Sequence, residues 1–197
     1  MMTATPAATT IDRRRFLTGA AALTAAAVAW RPVTAGALSP VVPAALPADP
    51  FTLGVGSGDP LPDRVVLWTR LAPDPLNGGG MPGSDVAVDW EMATDTSFAN
   101  VVASGTALAP AALAHSVHVD AGAGAEGPLT PGSEYFYRFT VDGYTSPVGR
   151  TRTAPANDAT VSSLKFAFAS CQSYSAGYYH AHGHLANESN LDLVLFL

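Results

Sequence analysis

One cysteine and a run of three histidines are the residues of this 197-residue chain whose types and spacing could do chemistry. Cys171 stands in Ser170-Cys171-Gln172, directly after the apolar run Lys165-Phe166-Ala167-Phe168-Ala169-Ser170. A thiol delivered to the loop at the carboxyl end of a strand lies where open parallel sheets place their functional groups. As a thiolate it would be a nucleophile or a ligand for a soft or borderline metal such as iron or zinc. The same spacing also suits a small packed hydrophobe. His180, His182 and His184 follow in Tyr178-Tyr179-His180-Ala181-His182-Gly183-His184-Leu185-Ala186. On a helix His180 and His184 share a face and His182 does not. Zinc proteases use that i, i+4 pair, but they carry a Glu directly after the first histidine, where this chain has Ala181. The histidines therefore read as part of a partly exposed helix, with Leu185 and the neighbouring tyrosines toward a sheet.

Two apolar strands must position these residues. Lys165–Ser170 reads as a short buried strand, and Leu191-Asp192-Leu193-Val194-Leu195-Phe196-Leu197 as a second one, with a helical segment between. Strand, helix, strand is a parallel unit, and its strands are apolar throughout because helices cover both faces of such a sheet. Two strands cannot complete that sheet, which leads us to expect a piece of a longer protein.

Upstream the pattern is different. From Phe51 to about Thr153 hydrophobicity alternates with period two, and turn residues recur at sandwich intervals. The predicted strands are Phe51–Val55, Arg64–Leu71, Val86–Thr94, Val101–Ala107, Ser116–Asp120, Tyr135–Val141 and Pro147–Arg152. Gly56-Ser57-Gly58-Asp59-Pro60, Asn77-Gly78-Gly79-Gly80 and Asp142-Gly143 are read as separators. This predicts a mainly β fold, an immunoglobulin-like or fibronectin type III-like sandwich, with Trp68 and Trp90 as core anchors between its sheets. Leu129-Thr130-Pro131-Gly132-Ser133-Glu134-Tyr135 resembles the corner of fibronectin type III domains, in which the tyrosine hydroxyl bonds back to the backbone. Tyr135 is therefore assigned to structure. Arg64, Arg70, Arg138, Arg150 and Arg152 read as solvent-facing strand residues that pair with carboxylates. His115 and His118, three apart in an extended segment, point to opposite faces and do not form a metal pair.

The ends of this region have their own signatures. Asp12-Arg13-Arg14-Arg15-Phe16-Leu17-Thr18, followed by the Ala-rich apolar run Gly19–Trp30 and the small residues Ala35-Gly36-Ala37, resembles a twin-arginine export signal occupying residues 1–37. The apolar run is too short to span about 30 Å of hydrocarbon. Residues 38–50, with Pro40, Pro43, Pro47 and Pro50, are predicted to be an extended Pro/Ala linker with little packing of its own. Without the signal the chain keeps 6 basic against 15 acidic residues. No basic stripe remains to displace counterions, which argues against nucleic acid or an anionic membrane as partner. A content of 48% hydrophobic and 13% charged residues is that of a folding sequence.

Taken together, Phe51-Thr52-Leu53-Gly54-Val55-Gly56-Ser57-Gly58-Asp59-Pro60 and Arg64-Val65-Val66-Leu67-Trp68-Thr69-Arg70-Leu71 resemble the opening of the alkaline phosphatase D family of secreted phosphatases and phosphodiesterases. Ser170-Cys171-Gln172, Gly177-Tyr178-Tyr179 and Asp192-Leu193-Val194-Leu195-Phe196-Leu197 resemble the start of that family's catalytic domain. The resemblance implies a fibronectin type III-like domain over residues 51–157 and the first β-α-β unit of an α/β metallophosphoesterase domain over 160–197. It implies an iron and calcium centre, a phosphate-ester substrate, export through the twin-arginine machinery and a location outside the membrane. Cys171 matches the family's iron-ligating cysteine. The family's second strand runs on into a Gly-Asp-Tyr segment with further ligands, absent through Leu197. The catalytic residues are thus expected beyond Leu197 and the 197 residues alone are expected to be inactive. The rival expectations are a secreted sandwich module without catalysis and a truncated gene product without function.

Overall fold

The computed structural model describes residues 45–197 apart from 126, 172, 174, 176 and 177. The expected export signal therefore lies outside the described residues, as does the linker up to residue 44. Alternation in the sequence becomes two antiparallel sheets. In the first, β2 (Val65–Arg70) lies between β1 (Val55–Gly58) and β5 (Ser116–Ala121). In the second, β3 (Val86–Ala93) lies between β4 (Val101–Ala109) and β6 (Glu134–Val141), and β6 also pairs with β7 (Tyr144–Thr145) and β8 (Gly149–Arg152). Inward residues of both sheets form one core: Val65, Leu67, Val117 and Val119 from the first, and Val88, Trp90, Met92, Tyr137 and Phe139 from the second. Strands with one solvated face explain the period of two.

Several local expectations are corrected. Phe51–Val55 is not a strand. Gly54, at φ +73°, closes a turn whose N–H reaches the Phe51 carbonyl at 2.9 Å, and pairing begins at Val55. Gly56, Ser57 and Gly58, read as a separator, are strand residues of β1. The Trp68 ring lies over this edge strand, where a Cβ at Gly56 would meet it at an ordinary contact distance of 3.6 Å. Trp68 is accordingly not a core anchor. Val65, Leu67 and Thr69 take the inward positions of β2, which leaves Trp68 half-buried on the outer face. Trp90 does face the core. The end of the expected linker also packs. Leu46 and Pro50 are buried, the Leu46 N–H bonds the Asp142 carboxylate, and the Ala72 N–H donates to the Pro50 carbonyl at 2.8 Å.

Arg64, Arg138, Arg150 and Arg152 pair with carboxylates as read, whereas Arg70 does not, and His115 lies at φ +55° in the turn before β5 and not in an extended segment. Arg138 pairs with Glu91 directly across the β3–β6 ladder and stacks 4.0 Å from the Phe98 ring centroid. Arg64 pairs with Asp63 and Asp120, and Arg150 with Glu134. Arg70 instead donates from Nε to the Ala114 carbonyl at 3.1 Å. His115 is buried with Nε2 at 3.0 Å from the Ser84 carbonyl, and His118 is exposed.

The β3–β4 loop is organised by one carboxylate. Asp95 accepts hydrogen bonds from the N–H groups of Ser97 at 3.0 Å, Ala99 at 3.1 Å and Asn100 at 2.9 Å, and from the Ser97 hydroxyl. These bonds, led by that of the Ser97 side chain, hold the Asp95 carboxyl well below the usual carboxylate range. A carboxyl depressed in the folded state contributes stability above its unfolded pKa, and that contribution is lost as pH falls through the folded value. Asp95→Asn puts an amide N–H₂ where an acceptor is needed. It is expected to lower the melting temperature at pH 7 and to flatten the fall in melting temperature between about pH 5 and about pH 2. Thermal unfolding followed by circular dichroism across that range checks both.

Candidate metal-ligand site

The parallel unit forms as the sequence indicates. β9 (Phe166–Ala169) pairs in parallel with β10 (Leu193–Phe196), Phe166 opposite Leu193 and Ala169 opposite Phe196, and α1 (His180–Ala186) lies between them in the chain. Its strands are not buried, contrary to expectation. Phe168 is 67% and Phe196 61% exposed, and Phe166 and Leu195 are exposed as well. The reason is geometric: a two-stranded sheet beside a seven-residue helix leaves most of both faces uncovered.

Cys171 leaves the carboxyl end of β9 and is an exposed free thiol. The Leu197 N–H donates to the Ala169 carbonyl at 2.9 Å, so the ends of both strands meet on the edge from which the cysteine projects. Cys171 has φ +54°, and Tyr178 and Tyr179 have φ +49° and +57°. Asp59, Phe98, Ala114, His115 and Asp142 take the same conformation elsewhere in the chain, so it describes the turn at Cys171 without by itself marking a site.

The histidines take up another arrangement. His182 is the one turned to the strands, its ring 5.1 Å from that of Phe196 and 5.5 Å from that of Tyr179. Leu185, three residues on, is half-buried as expected of that face. His180 and His184 are exposed, and the His180 ring contacts Tyr178. Gly183 inside so short a helix costs about 0.5–1 kcal/mol relative to alanine, so α1 depends on these ring contacts. Among the described residues no three His, Cys, Asp or Glu side chains gather as a metal cluster. Cys171 therefore stands as a single sulfur donor, of the type that soft and borderline metals such as iron or zinc take, and the six to eight oxygen ligands that calcium takes are not gathered beside it among the described residues.

Asp192 is the residue whose role the sequence does not reveal. Its own N–H donates to the Lys165 carbonyl at 2.8 Å and its Oδ2 accepts from the Lys165 N–H at 3.0 Å, tying the start of β9 to the entry of β10. Its Oδ1 accepts from Arg152 of β8 at 2.8 Å. An acidic residue at the entry of an otherwise apolar strand was the available signal. Among the described residues no helix is long and apolar enough to cross a membrane.

Comparison with known proteins agrees with this architecture. Residues 35–155 match the family profile of the PhoD-like phosphatase N-terminal domain. The chain is 50% identical over 189 residues to alkaline phosphatase D of Bacillus subtilis, covering 95% of this chain and 31% of that protein. A solved structure described as the structure of PhoD superposes with a TM-score of 0.72 at 56% identity, over 77% of this chain and 28% of the other. The chain thus spans about a third of the length of the curated relative it matches.

Proposed function

Because this chain belongs to the PhoD-like phosphatase family, we propose that it is the N-terminal part of an exported, metal-dependent phosphatase or phosphodiesterase. The two sheets are read as a fibronectin type III-like domain over residues 51–157, and residues 160–197 as the beginning of the catalytic domain. One observation carries the reading: the lone cysteine of a chain 50% identical to an alkaline phosphatase projects, in a left-handed backbone conformation, from the carboxyl end of a parallel strand.

In this reading Cys171 would supply a thiolate ligand to iron, and calcium would take oxygen ligands from later in the protein. Such a centre supplies polarisation of the phosphoryl oxygens and activation of the attacking water. The chain's own residues position the thiolate. Pairing of β9 with β10 fixes the strand ends, Asp192 fixes their start, and Cys171 follows β9 in a left-handed conformation as an exposed thiol. The acidic sandwich would repel a phosphate ester, so anion binding falls to the cations. Residues 1–37 are read as a twin-arginine signal, which fits export of a folded protein with its metal installed. The 197 residues alone are proposed to be inactive, because the described part gathers too few ligands to hold the centre.

The test joins this chain to the remaining two thirds of the Bacillus relative and measures hydrolysis of a phosphodiester and a phosphomonoester, with iron content. The joined protein is expected to be active and the 197-residue chain inactive. Cys171→Ser should remove the thiolate-to-iron absorption band. It should also lower activity by more than about 100-fold, exceeding what loss of an outer-shell partner costs. Full iron occupancy and unchanged activity in Cys171→Ser would refute the assignment.

A further inference from the structure

The sandwich and the parallel unit are joined covalently by residues 154–164, most of them exposed, and the side chains of β8 make a second connection. Thr151 of β8 faces the core, so Arg150 and Arg152, on either side of it, both point outward. Arg152 is held at two points. Its Nε donates to the Gly132 carbonyl at 3.2 Å and its Nη1 donates to Asp192 Oδ1 at 2.8 Å. Arg150 is likewise shared, between Glu134 Oε2 at 3.3 Å and the Ser189 carbonyl at 3.3 Å. Each guanidinium is thus anchored on the sandwich before it reaches the 189–192 segment, so little side-chain entropy remains to be lost on making the contact. Asp192 is fixed from the other side by Lys165.

We propose that Arg152 and Asp192, supported by Arg150 and the Ser189 carbonyl, form an electrostatic latch that sets the orientation of the parallel β9–α1–β10 unit on the sandwich. The latch fixes where the strand ends and Cys171 lie relative to the first domain. It does so at the opposite end of the strands, by gripping the start of β9 and the entry of β10 through one carboxylate. Arg152 and Asp192 are positioning residues with no part in chemistry, and the inference does not depend on the reaction assigned to the family. Both partners are partly solvated, with side chains 54% and 29% exposed, so the latch is sensitive to salt.

The test places spin labels on the native Cys171 and on a cysteine introduced at the exposed Val102 of β4 in the 197-residue chain. Electron spin distance measurements then report the orientation directly. The otherwise native protein should give a distance distribution dominated by one narrow population, with a minor second one, at low ionic strength. Arg152→Ala should enlarge a second population by up to about fivefold, the shift available from one exposed pair. About 1 M salt should act in the same direction. Arg152→Lys keeps the charge but loses the Nε anchor to Gly132, and should give an intermediate result. Melting of the sandwich is followed alongside, so that a folding defect is recognised by a lowered melting temperature. An Arg152→Ala protein with native melting and an unchanged distance distribution would overturn the latch, as would a broad distribution in the native protein at low salt.

Discussion

Gly149→Ala is expected to destabilise the sandwich severely although it adds a single methyl group at the start of an edge strand. A Cβ there would lie 2.3 Å from Tyr137 Cζ and 2.6 Å from its Oη, inside van der Waals contact with a ring that cannot move away. Tyr137 is 2% exposed, packs edge-on against Phe139 with ring centroids 6.2 Å apart, and hydrogen-bonds Ser57 of β1 through its hydroxyl. Burial pushes that phenol up to about 12, with the Ser57 bond opposing, so it stays neutral and the ring spans both sheets. Overpacking of this kind costs about 1–3 kcal/mol and more where nothing can shift. For a domain of this size each kcal/mol lowers the melting temperature by about 4–8 °C. Gly56→Ala is the control: its nearest neighbour is Trp68 Cε3 at an ordinary 3.6 Å, and its φ is not positive. The control should change stability by less than about 0.5 kcal/mol. Equal melting temperatures for the two variants would mean that the Tyr137 ring is free to yield.

That contrast shows where sequence reasoning succeeds in this protein and where it stops. Period-two runs were legible because each strand has one solvated face, and they located β2 to β6 and β8 within a few residues. Which parity faces inward is a different question. In Val65-Val66-Leu67-Trp68-Thr69-Arg70 both parities carry large apolar residues, so alternation alone does not choose between them, and it is Val65, Leu67 and Thr69 that face the core. Gly56-Ser57-Gly58 looks like a turn by composition and is held as a strand by the ladder to β2, information that resides in Val66, Leu67 and Trp68 and not in the segment itself. The two-residue β7 escaped because Asp142-Gly143 marks its turn but a strand of two has no period. At the candidate site the parallel strands and the place of Cys171 were legible from an apolar run ending in a polar loop. Exposure of those strands was not, because an apolar sequence states what can be buried and leaves open what covers it. Asp192 was passed over for a related reason: a carboxylate's partners, here Lys165 and Arg152, are 27 and 40 residues away.

The corner before β6 should prove to be a single cooperative unit, with a partner that no local motif announces. Tyr135 is buried and its hydroxyl accepts the Thr130 N–H at 2.9 Å, as the Leu-Thr-Pro-Gly-Ser-Glu-Tyr pattern indicated. The Thr130 carbonyl is satisfied separately by the hydroxyl of Thr153, at 2.7 Å, which also accepts the Ser133 N–H at 3.0 Å. Thr153 is 2% exposed, and its own N–H returns to the Ser133 carbonyl at 3.1 Å. Both polar groups of Thr130 thus depend on side chains from β6 and from the segment just after β8, and removing either side chain leaves a part-buried backbone hydrogen bond unmade. Tyr135→Phe and Thr153→Val are each expected to cost about 0.5–1.5 kcal/mol, the net worth of a typical intramolecular hydrogen bond, since the groups they release are only partly buried. Thr153→Ser keeps both bonds and should cost less than about 1 kcal/mol. Since both changes release the same turn, the double variant should lose less than the sum, with a coupling of about 0.5–1.5 kcal/mol in denaturant unfolding. Strict additivity would show that the two hydroxyls brace the corner independently. A neutral Thr153→Val would show that water reaches the Thr130 carbonyl and the Ser133 amide once the hydroxyl is gone.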